Sequence, residues 1–526
     1  MPEPRHSDII EFVRDQGDVR AALRRPPMLR DGAFAELIIL VEDAGVGLQT
    51  LTPTFGTRPI STVIADRGLF ERDVRDGSLG EFLAMRLLEP YEALEGAEYL
   101  GEQESLFKTR IVREEVANLA ARFKDLLPEI LIDPRYFFHA RMQRRSKIHP
   151  PARKVYLTLI SNPTQNFYGF KRTLEEMARD GLIKVDRFVR VTEKFISQLP
   201  AAPPVAIAPF KEAEMLIRRL AAYGLVNPSV ESLVLEFTSV EDRGPSAAPP
   251  DPKSYLYLPI EGRLVPVDDR RTLEEVVFEE GLAPKSAMTM RRIGGILNSV
   301  YLIEFEGADG KLVAKTFLNW VGLKWIPLSI WAIGAQNFEV LADRRLANEY
   351  KMNRFLRKNG INVPTIEYVS VPRATIIEQF VDGRSFSDLA RDYLSKPEPE
   401  KLDAFRRAGE VVGRIHSLGA SMGDCKPDNM IEDMDGNIWV VDLEQASLGG
   451  SPAWDLAEFL YYTGHYTFRW RRMESLARGF IDGYLVDGEV EMVKEISKAR
   501  YKRIFGIMTA PHIIVGISRL CSSYSA

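Results

Sequence analysis

The chain has 526 residues, of which 45% are hydrophobic and 27% charged, and its formal net charge is −5. This composition is typical of a globular protein with ample core, and the length favours about three or four domains. The negative charge argues against global attraction to nucleic acid or anionic membranes, although local patches can still bind them. With only Cys425 and Cys521, the sequence favours a reducing, cytoplasmic location. It predicts no signal peptide and no membrane span.

Residues 1–125 predict a small α/β domain. Helical patterns alternate there with apolar strands, the clearest at 37–41 and 60–65. Together with the apolar run at 82–100, this pattern resembles a nucleotidyltransferase domain. That family holds two metal ions with a Gly-Ser turn and an Asp-x-Asp pair on its first strand, whereas residues 33–37 here read Ala-Phe-Ala-Glu-Leu. The resemblance therefore implies a degenerate domain that has lost this catalysis.

Residues 126–200 predict a basic helical or winged-helix-like domain. The stretch 141–198 contains 13 Lys or Arg and 5 Asp or Glu. A helical pattern around 171–177 precedes residues 181–192, which alternate like a two-stranded wing. Helices followed by a wing resemble a winged helix, which places cations on nucleic-acid phosphates; a basic face that docks against acidic neighbours is the alternative. The first cations of this stretch are Arg141, Arg144, Arg145, Lys147, Arg153 and Lys154.

Two proline-rich stretches mark the next boundary. They lie at 200–204 and 243–252 and predict linkers, so that residues 201–283 are assigned to a linker and a small α/β segment. Residues 284–526 follow and carry a series of motifs.

The first of these motifs lie on predicted strands and a helix. Gly294 and Gly295 separate two strand-like runs, where the missing Cβ lets backbone N–H groups approach phosphate oxygens. The alternative to phosphate binding is that the two glycines only form a hairpin turn. The next strand, 312–317, carries Lys315, and an amphipathic helix further along carries Glu349.

The most informative stretch is 422–429, which follows a predicted strand at 376–383 and an apolar helical segment. Within it, Asp424 precedes Asn429 by five residues. An apolar strand beyond it leads to Asp442, which places a carboxylate at the edge of a buried layer.

This series of motifs resembles the protein-kinase-like phosphotransferases over residues 284–480. Gly423 replaces the Arg that usually precedes the catalytic Asp, and the segment from Asp442 to Asp455 is too short for the peptide-docking activation segment of ordinary protein kinases. These departures are similar to the atypical group: the kinase of the KEOPS tRNA-modification complex, RIO kinases, lipopolysaccharide core kinases, and aminoglycoside or choline phosphotransferases. The predicted fold class is therefore α+β, with a C-terminal bilobal kinase-like fold over residues 284–526.

The resemblance implies an ATP site. The lysine on the strand would contact the α- and β-phosphates, the glutamate on the helix would hold that lysine, and the strand leading into the hinge would meet the adenine. The residues implied to bind ATP are Gly294, Gly295, Lys315, Glu349, Glu378 and Phe380.

The resemblance also implies the catalytic roles. Asp424 would orient the acceptor hydroxyl and take up its proton, and Lys426 would reach the γ-phosphate. Asn429 and Asp442 would hold Mg²⁺ or Mn²⁺, which prefer oxygen ligands. The residues implied to brace the catalytic loop are His416 and Asp455.

The favoured function is an ATP-dependent atypical kinase acting on Ser or Thr of a protein. One alternative is a small-molecule phosphotransferase of the aminoglycoside or choline kinase type. Another is an ATPase-switch scaffold that binds RNA or a protein partner.

An apolar insertion between the Lys315 strand and the Glu349 helix holds three of the 6 tryptophans, Trp320, Trp325 and Trp331. It is too short to span a bilayer as a helix. It predicts either packing against the small lobe or a docking surface for a partner, since exposed tryptophans are common at such surfaces.

Overall fold

A computed structural model gives the fold. It describes residues 6–25, 36–43, 45–56, 58–148, 153, 156–157, 159–160, 169–199, 208–226, 249–282, 288–294, 298–306, 310–319 and 338–524. The chain divides into two compact units, Met1–Tyr257 and Leu258–Ala526, here called the N-terminal and C-terminal units. The boundary falls inside the segment predicted as a linker and small α/β segment. The finer domain limits stay predictions.

Among its described residues, the N-terminal unit contains a five-stranded sheet, a two-stranded sheet, strands of a second five-stranded sheet and seven α-helices. In chain order the elements are α1 (His6–Arg14), β1 (Val19–Arg25), β2 (Glu36–Val41), β3 (Leu48–Leu51), β4 (Thr54–Phe55), β5 (Arg58–Pro59), β6 (Ser61–Asp66), α2 (Arg67–Asp76), β7 (Glu92–Glu95), α3 (Ala97–Phe123), β8 (Leu131–Ile132), α4 (Arg135–Ile148), α5 (Phe170–Arg179), β9 (Ile183–Val185), β10 (Val189–Val191), α6 (Glu193–Gln198) and α7 (Ala208–Val226). Strand β11 (Leu256–Ile260) begins at the end of this unit.

The strands predicted at 37–41 and 60–65 are confirmed as β2 and β6. They pair in parallel at the centre of a sheet with the order β3-β6-β2-β1-β7, in the register Ile38 to Val63. Five of the six residues in each strand are buried, which explains why β2 is a continuous apolar run without alternation after Glu36. Ile9 and Val13 of α1 pack into the same core. The nucleotidyltransferase assignment stays a prediction.

The predicted helix and two-stranded hairpin of the basic segment are also present. They are α5 and the β9–β10 pair, in which Val185 lies opposite Val189. The buried face of α5 is formed by Phe170, Thr173, Leu174 and Met177. The winged-helix assignment of this segment is a prediction that these two elements alone do not decide.

The predicted basic surface is wrong for two of the first three arginines of that segment. Arg141 and Arg145 are buried, and both form ion pairs with the fully buried Glu81. Arg141 also pairs with Glu114 of α3, so these two charges are neutralised inside the unit. Arg144 binds Glu115 of α3 at 2.7 Å and is 32% exposed. Lys147 and Lys154 lie outside the described side chains, whereas Arg153 is exposed.

Exposed cations remain on the hairpin, where Lys184, Arg187 and Arg190 face solvent. The prediction of nucleic-acid binding through residues 141–198 therefore depends on side chains such as these, and no longer on Arg141 and Arg145.

The C-terminal unit contains an antiparallel sheet followed by a mainly helical part. Its elements after β11 are β12 (Arg263–Pro266), α8 (Leu273–Glu279), β13 (Met288–Gly294), β14 (Asn298–Phe305), β15 (Lys311–Phe317), α9 (Ala342–Lys358), β16 (Ile366–Ser370), β17 (Thr375–Gln379), β18 (Gly383–Ser385), α10 (Phe386–Ser395), α11 (Pro399–Ser417), β19 (Ala420–Ser421), β20 (Met430–Asp433), β21 (Ile438–Val440), β22 (Ser447–Leu448), α12 (Pro452–Gly464), α13 (Trp470–Tyr484), α14 (Val490–Glu495), α15 (Ala499–Phe505) and α16 (Pro511–Ser523).

The small lobe of this unit is the sheet β13-β14-β15-β17-β16, against which α9 packs. The large lobe is built from α10 to α16 around one apolar core, and the small sheet β18-β20-β21 lies at its edge. This mixed α/β arrangement is consistent with the predicted kinase-like fold. Within the described ranges, no helix combines the length and the hydrophobicity needed to cross a membrane. The insertion with Trp320, Trp325 and Trp331 lies outside the described residues.

Helices α11 and α13 pack so closely that glycines are required between them. A Cβ at Gly483 would lie 1.9 Å from the Arg406 carbonyl oxygen, and one at Gly409 would lie 2.0 Å from the Phe480 carbonyl oxygen. Since neither neighbour is a flexible side chain, the helices would have to move apart.

We expect Gly483→Ala to lower the free energy of unfolding of the C-terminal unit by about 1–3 kcal/mol, as overpacked cores do. Gly479→Ala on the same helix is the matched control, because the nearest atom to its added Cβ lies at 3.7 Å. The control should be neutral or stabilising by up to about 1 kcal/mol. All 6 tryptophans lie in the C-terminal unit, so fluorescence during urea unfolding reports on this unit. Equal stability of both variants would contradict the prediction.

Candidate active site

Asp455 lies in the first turn of α12 and fixes the backbone of the loop that follows β19. The Asp455 carboxylate is fully buried and accepts hydrogen bonds from the backbone N–H groups of Met422, at 2.6 Å, and Gly423, at 2.8 Å. His416 Nε2 lies 3.0 Å from the same carboxylate. Ser451 caps the helix, which leaves Asp455 available for the loop. The two residues predicted to brace the loop therefore contact each other and, through Asp455, its backbone.

The loop presents Asp424 beside two polar side chains. Lys426 Nζ lies 2.7 Å from Asp424 Oδ1, and Asn429 Nδ2 donates to the Asp424 carbonyl at 2.8 Å and to its carboxylate at 3.2 Å. Gly423, which replaces the usual arginine, has φ of 69°, a conformation that favours glycine. The three residues predicted to be catalytic thus lie together, with Asp424 partly exposed at their centre.

Lys315 of β15 lies among carboxylates. Its Nζ is 3.0 Å from Glu349 of α9, 3.2 Å from Glu444, and in direct contact with Asp442. The predicted pair of Lys315 and Glu349 is therefore present. Asp442 has φ of 61°, a left-handed conformation that aspartate tolerates better than most residues. The site brings together the predicted lysine, its glutamate and the predicted metal ligand Asp442.

A second buried network lies behind Lys315 and was not predicted. Arg345 Nη2 donates to Glu444 at 2.6 Å and to the Asn298 amide oxygen at 2.5 Å, while Asn298 Nδ2 donates to Glu444 at 2.7 Å. All three residues are buried. The spacing of Arg345 one helical turn before Glu349 is the signal that could have identified it, because residues four apart share a helix face.

The remaining predicted ATP residues lie along the small-lobe sheet. Gly294 ends β13, and Gly295 lies outside the described residues. Phe380 follows β17, and its N–H donates to Lys311 O at 3.3 Å. Glu378 lies opposite Val313, two residues before Lys315, so its buried side chain shares the Lys315 face of the sheet. The structure thus places Glu378 beside the lysine rather than in the connection that follows β17.

The buried Glu378 makes the free energy of unfolding of the C-terminal unit depend on pH. Burial and the nearby Glu349 carboxylate raise the pKa of Glu378 to about 8, although Lys315 opposes this shift. A glutamate in an unfolded chain has a pKa of about 4.3, so between these values the folded state binds more protons than the unfolded state. The free energy of unfolding therefore falls as pH rises from about 4 to 8.

We expect Glu378→Gln to reduce this fall, because glutamine has the shape of the neutral acid and does not titrate. The measurement is urea unfolding at pH 5 and pH 8, followed by tryptophan fluorescence. Glu367→Gln on β16 changes a partly exposed glutamate and should leave the pH dependence as in the wild type. Identical pH dependence in the wild type and Glu378→Gln would show that Glu378 is not responsible.

Oxygen donors suitable for a divalent cation flank the loop. The Asn429 amide nitrogen is occupied by Asp424, which leaves its oxygen as the atom for a metal, and the Asp442 side chain is 33% exposed. No group of three or more His, Cys, Asp or Glu in the described part of the chain is arranged to bind a metal. The residues present therefore fit an ion that completes its coordination with phosphate oxygens and water, as Mg²⁺ commonly does.

The sheet, the loop and the Lys315 cluster together support an atypical kinase-like relationship, and comparisons with known proteins agree. No protein-family model matches the chain. The chain is similar to the KEOPS complex subunit Bud32 of Pyrococcus abyssi, with 24% identity over 147 residues, which are 27% of this chain and 65% of that protein. It is similar to the EKC/KEOPS complex subunit BUD32 of Gibberella zeae, with 24% identity over 135 residues, which are 24% of this chain and 51% of that protein.

A third relative is the probable serine/threonine-protein kinase BUD32 homolog of Archaeoglobus fulgidus. It is 26% identical over 155 residues, which are 30% of this chain and 73% of that protein. The chain thus spans between about half and three quarters of the length of these curated relatives. At this identity and coverage, a kinase-like relationship is supported at the coarse level.

Proposed function

We propose that the C-terminal unit is an ATP-dependent atypical kinase that transfers the γ-phosphoryl group to a serine or threonine of a protein. The observation that carries this proposal is the loop in which Asp424, Lys426 and Asn429 lie together, with its backbone fixed by the buried Asp455. The name of the relative from Archaeoglobus fulgidus, a probable serine/threonine-protein kinase, supports the choice of acceptor.

The proposed mechanism follows from the positions of these side chains. Asp424 accepts the proton of the acceptor hydroxyl as that oxygen bonds to the γ-phosphorus of ATP, while the bond from this phosphorus to the β-phosphate oxygen breaks and ADP leaves. Lys426 neutralises charge on the transferred group. Lys315, positioned by Glu349, binds the α- and β-phosphates. Asn429 and Asp442 would hold Mg²⁺ or Mn²⁺ (Asp442 is the residue that Lys315 also contacts). When bound, the ion neutralises phosphate charge and orients the phosphate oxygens.

A small-molecule phosphotransferase is the second candidate function. The observation that favours it is the short route from Asp442 to Asp455: β22 pairs directly with β19, and Ser451 already begins the cap of α12. This route leaves no long segment on which a peptide could dock. The acceptor is then a small hydroxyl compound, whereas the roles of Asp424 and Lys315 stay the same.

Two relatives are named as subunits of the KEOPS complex, which supports a proposal that this chain also has a protein partner. The third candidate function, an ATPase switch, would use the same ATP site to control such an assembly. In this candidate function, the exposed cations of the β9–β10 hairpin would bind nucleic acid.

The decisive experiment incubates the full chain with ATP and Mg²⁺ or Mn²⁺, with and without protein, choline and aminoglycoside acceptors. Free phosphate and phosphorylated products are followed together by mass spectrometry. Phosphoserine or phosphothreonine that is absent in Lys315→Met supports the protein kinase. Phosphorylated small molecules favour the second candidate, and free phosphate alone favours the third. The absence of all products with both metals would contradict ATP-dependent catalysis.

A further inference from the structure

A buried glutamate approaches the catalytic loop from the same helix face as Asp455. Glu458 lies three residues further along α12, and residues at this spacing share a helix face. Its carboxyl Oε2 accepts a hydrogen bond from the Cys425 backbone N–H at 2.8 Å and one from Trp454 Nε1 at 3.1 Å. Glu458 is 4% exposed. The backbone contact is to the residue directly after Asp424, so Glu458 holds the loop on the far side of that residue from Asp455.

The Glu458 carboxyl group also lies near the carboxyl group of Asp424, in the loop that it contacts. Burial raises the pKa of Glu458 well above its usual value, and the negative charge of Asp424 raises it further. Both causes favour the neutral form of Glu458, which can still accept the hydrogen bond from the Cys425 N–H.

We propose that Glu458 is a positioning residue for the phosphoryl-transfer reaction: it accepts the hydrogen bond from the Cys425 N–H and so fixes the backbone next to Asp424. This inference rests on the proposed function for its effect on rate, but its structural part is independent of activity. Lys426 and Asn429 contact Asp424 from within the loop, whereas Glu458 attaches the loop to α12. The residue that takes the acceptor proton is then positioned both by its side-chain contacts and by its backbone.

Three variants test the proposal. Glu458→Gln keeps the hydrogen-bond acceptor, because the amide oxygen can accept from Cys425 and Trp454. Glu458→Ala removes it. Thr463→Val on the same helix is the control, since it removes a buried hydroxyl that donates to Phe459 O at 2.6 Å and does not reach the loop.

We expect kcat to fall by about 10- to 100-fold in Glu458→Ala, the size expected from a misplaced catalytic group, while KM for ATP changes by less than about twofold. Glu458→Gln and Thr463→Val should stay within about threefold of the wild type. A wild-type kcat in Glu458→Ala would overturn the proposal. So would a loss in Glu458→Gln as large as in Glu458→Ala, because it would mean that the hydrogen bond to the loop is not what this side chain supplies.

Hydrogen exchange separates this proposal from the proposed function. Amide exchange in a peptide covering residues 422–426, measured by mass spectrometry without nucleotide, should become faster in Glu458→Ala. It should match the wild type in Glu458→Gln and Thr463→Val. If the wild type transfers no phosphate to any acceptor, the proposed function fails, yet the exchange measurement still decides the positioning role. Unchanged exchange in Glu458→Ala would overturn that role whatever the activity.

Discussion

Replacement of Asp424 by asparagine is expected to lower kcat by about 10²- to 10⁴-fold, the usual contribution of a general base. Asparagine keeps the size of the side chain and can still accept hydrogen bonds from Lys426 and Asn429, but it does not take up a proton at neutral pH. The loop backbone is held by Asp455, which the substitution leaves in place. Binding of ATP should therefore change little, because Lys315 and Asp442 lie on other segments.

The measurement is a comparison of kcat from product formation with the dissociation constant of ATP from calorimetry. Asp428→Asn is a matched control, because Asp428 is an exposed aspartate in the same loop and the substitution is the same. The control should keep the wild-type rate. An unchanged kcat in Asp424→Asn would remove Asp424 from the mechanism, and a large loss of ATP affinity would mean that it acts in nucleotide binding instead.

Much of the site could be predicted because its residues lie on regular elements whose periodicity is visible in the sequence. Lys315 lies on an alternating strand and Glu349 on an amphipathic helix, so each side chain's direction followed from the pattern. Their contact then followed from the resemblance to a known order of motifs, whereas the contact of His416 with Asp455 came from the structure. The roles of these residues in catalysis stay predictions.

The contacts that escaped prediction join residues that are far apart in the sequence. Arg345 and Glu444 are 99 positions apart, and Asn298 and Glu444 are 146 apart. The spacing of Arg345 and Glu349 places Arg345 on the same helix face as Glu349, but it does not identify the distant partners Glu444 and Asn298. The same reason explains the error at Arg141 and Arg145: a count of charges does not reveal that a buried partner, Glu81, comes from a loop 60 residues before Arg141.

Glu378 shows a different limit of sequence analysis. The sequence predicted the strand, but it did not show where the strand ends or which of its side chains face Lys315. Because β17 continues to Gln379 in register with β15, Glu378 belongs to the sheet and Phe380 is the residue that leaves it. A shift of one residue reverses the direction of every side chain in a strand. The end of the strand therefore had to come from the structure.

The buried network around Arg345 predicts the largest loss of stability. Arg345 has no exposed surface and binds Glu444, Asn298 and the Leu318 carbonyl oxygen. Arg345→Met removes the guanidinium group but leaves the Glu444 carboxylate buried, with one fewer cation beside it. Breaking a buried ion pair in this way typically costs about 3–5 kcal/mol. We expect a loss of this size in the free energy of unfolding of the C-terminal unit, measured by tryptophan fluorescence in urea.

Arg344→Met is the control on the adjacent position, because that side chain is 42% exposed and its pair with Glu339 lies near the surface. The control should lose no more than about 1 kcal/mol. The double variant Arg345→Met, Glu444→Gln should recover part of the loss, since the uncompensated charge is gone. Equal stability of the two single variants would contradict the prediction. Asn298 begins β14, shortly after the predicted phosphate-binding residues Gly294 and Gly295 in the sequence. Loss of Arg345 should therefore also raise KM for ATP, so that one substitution connects the stability of the unit with its proposed nucleotide site.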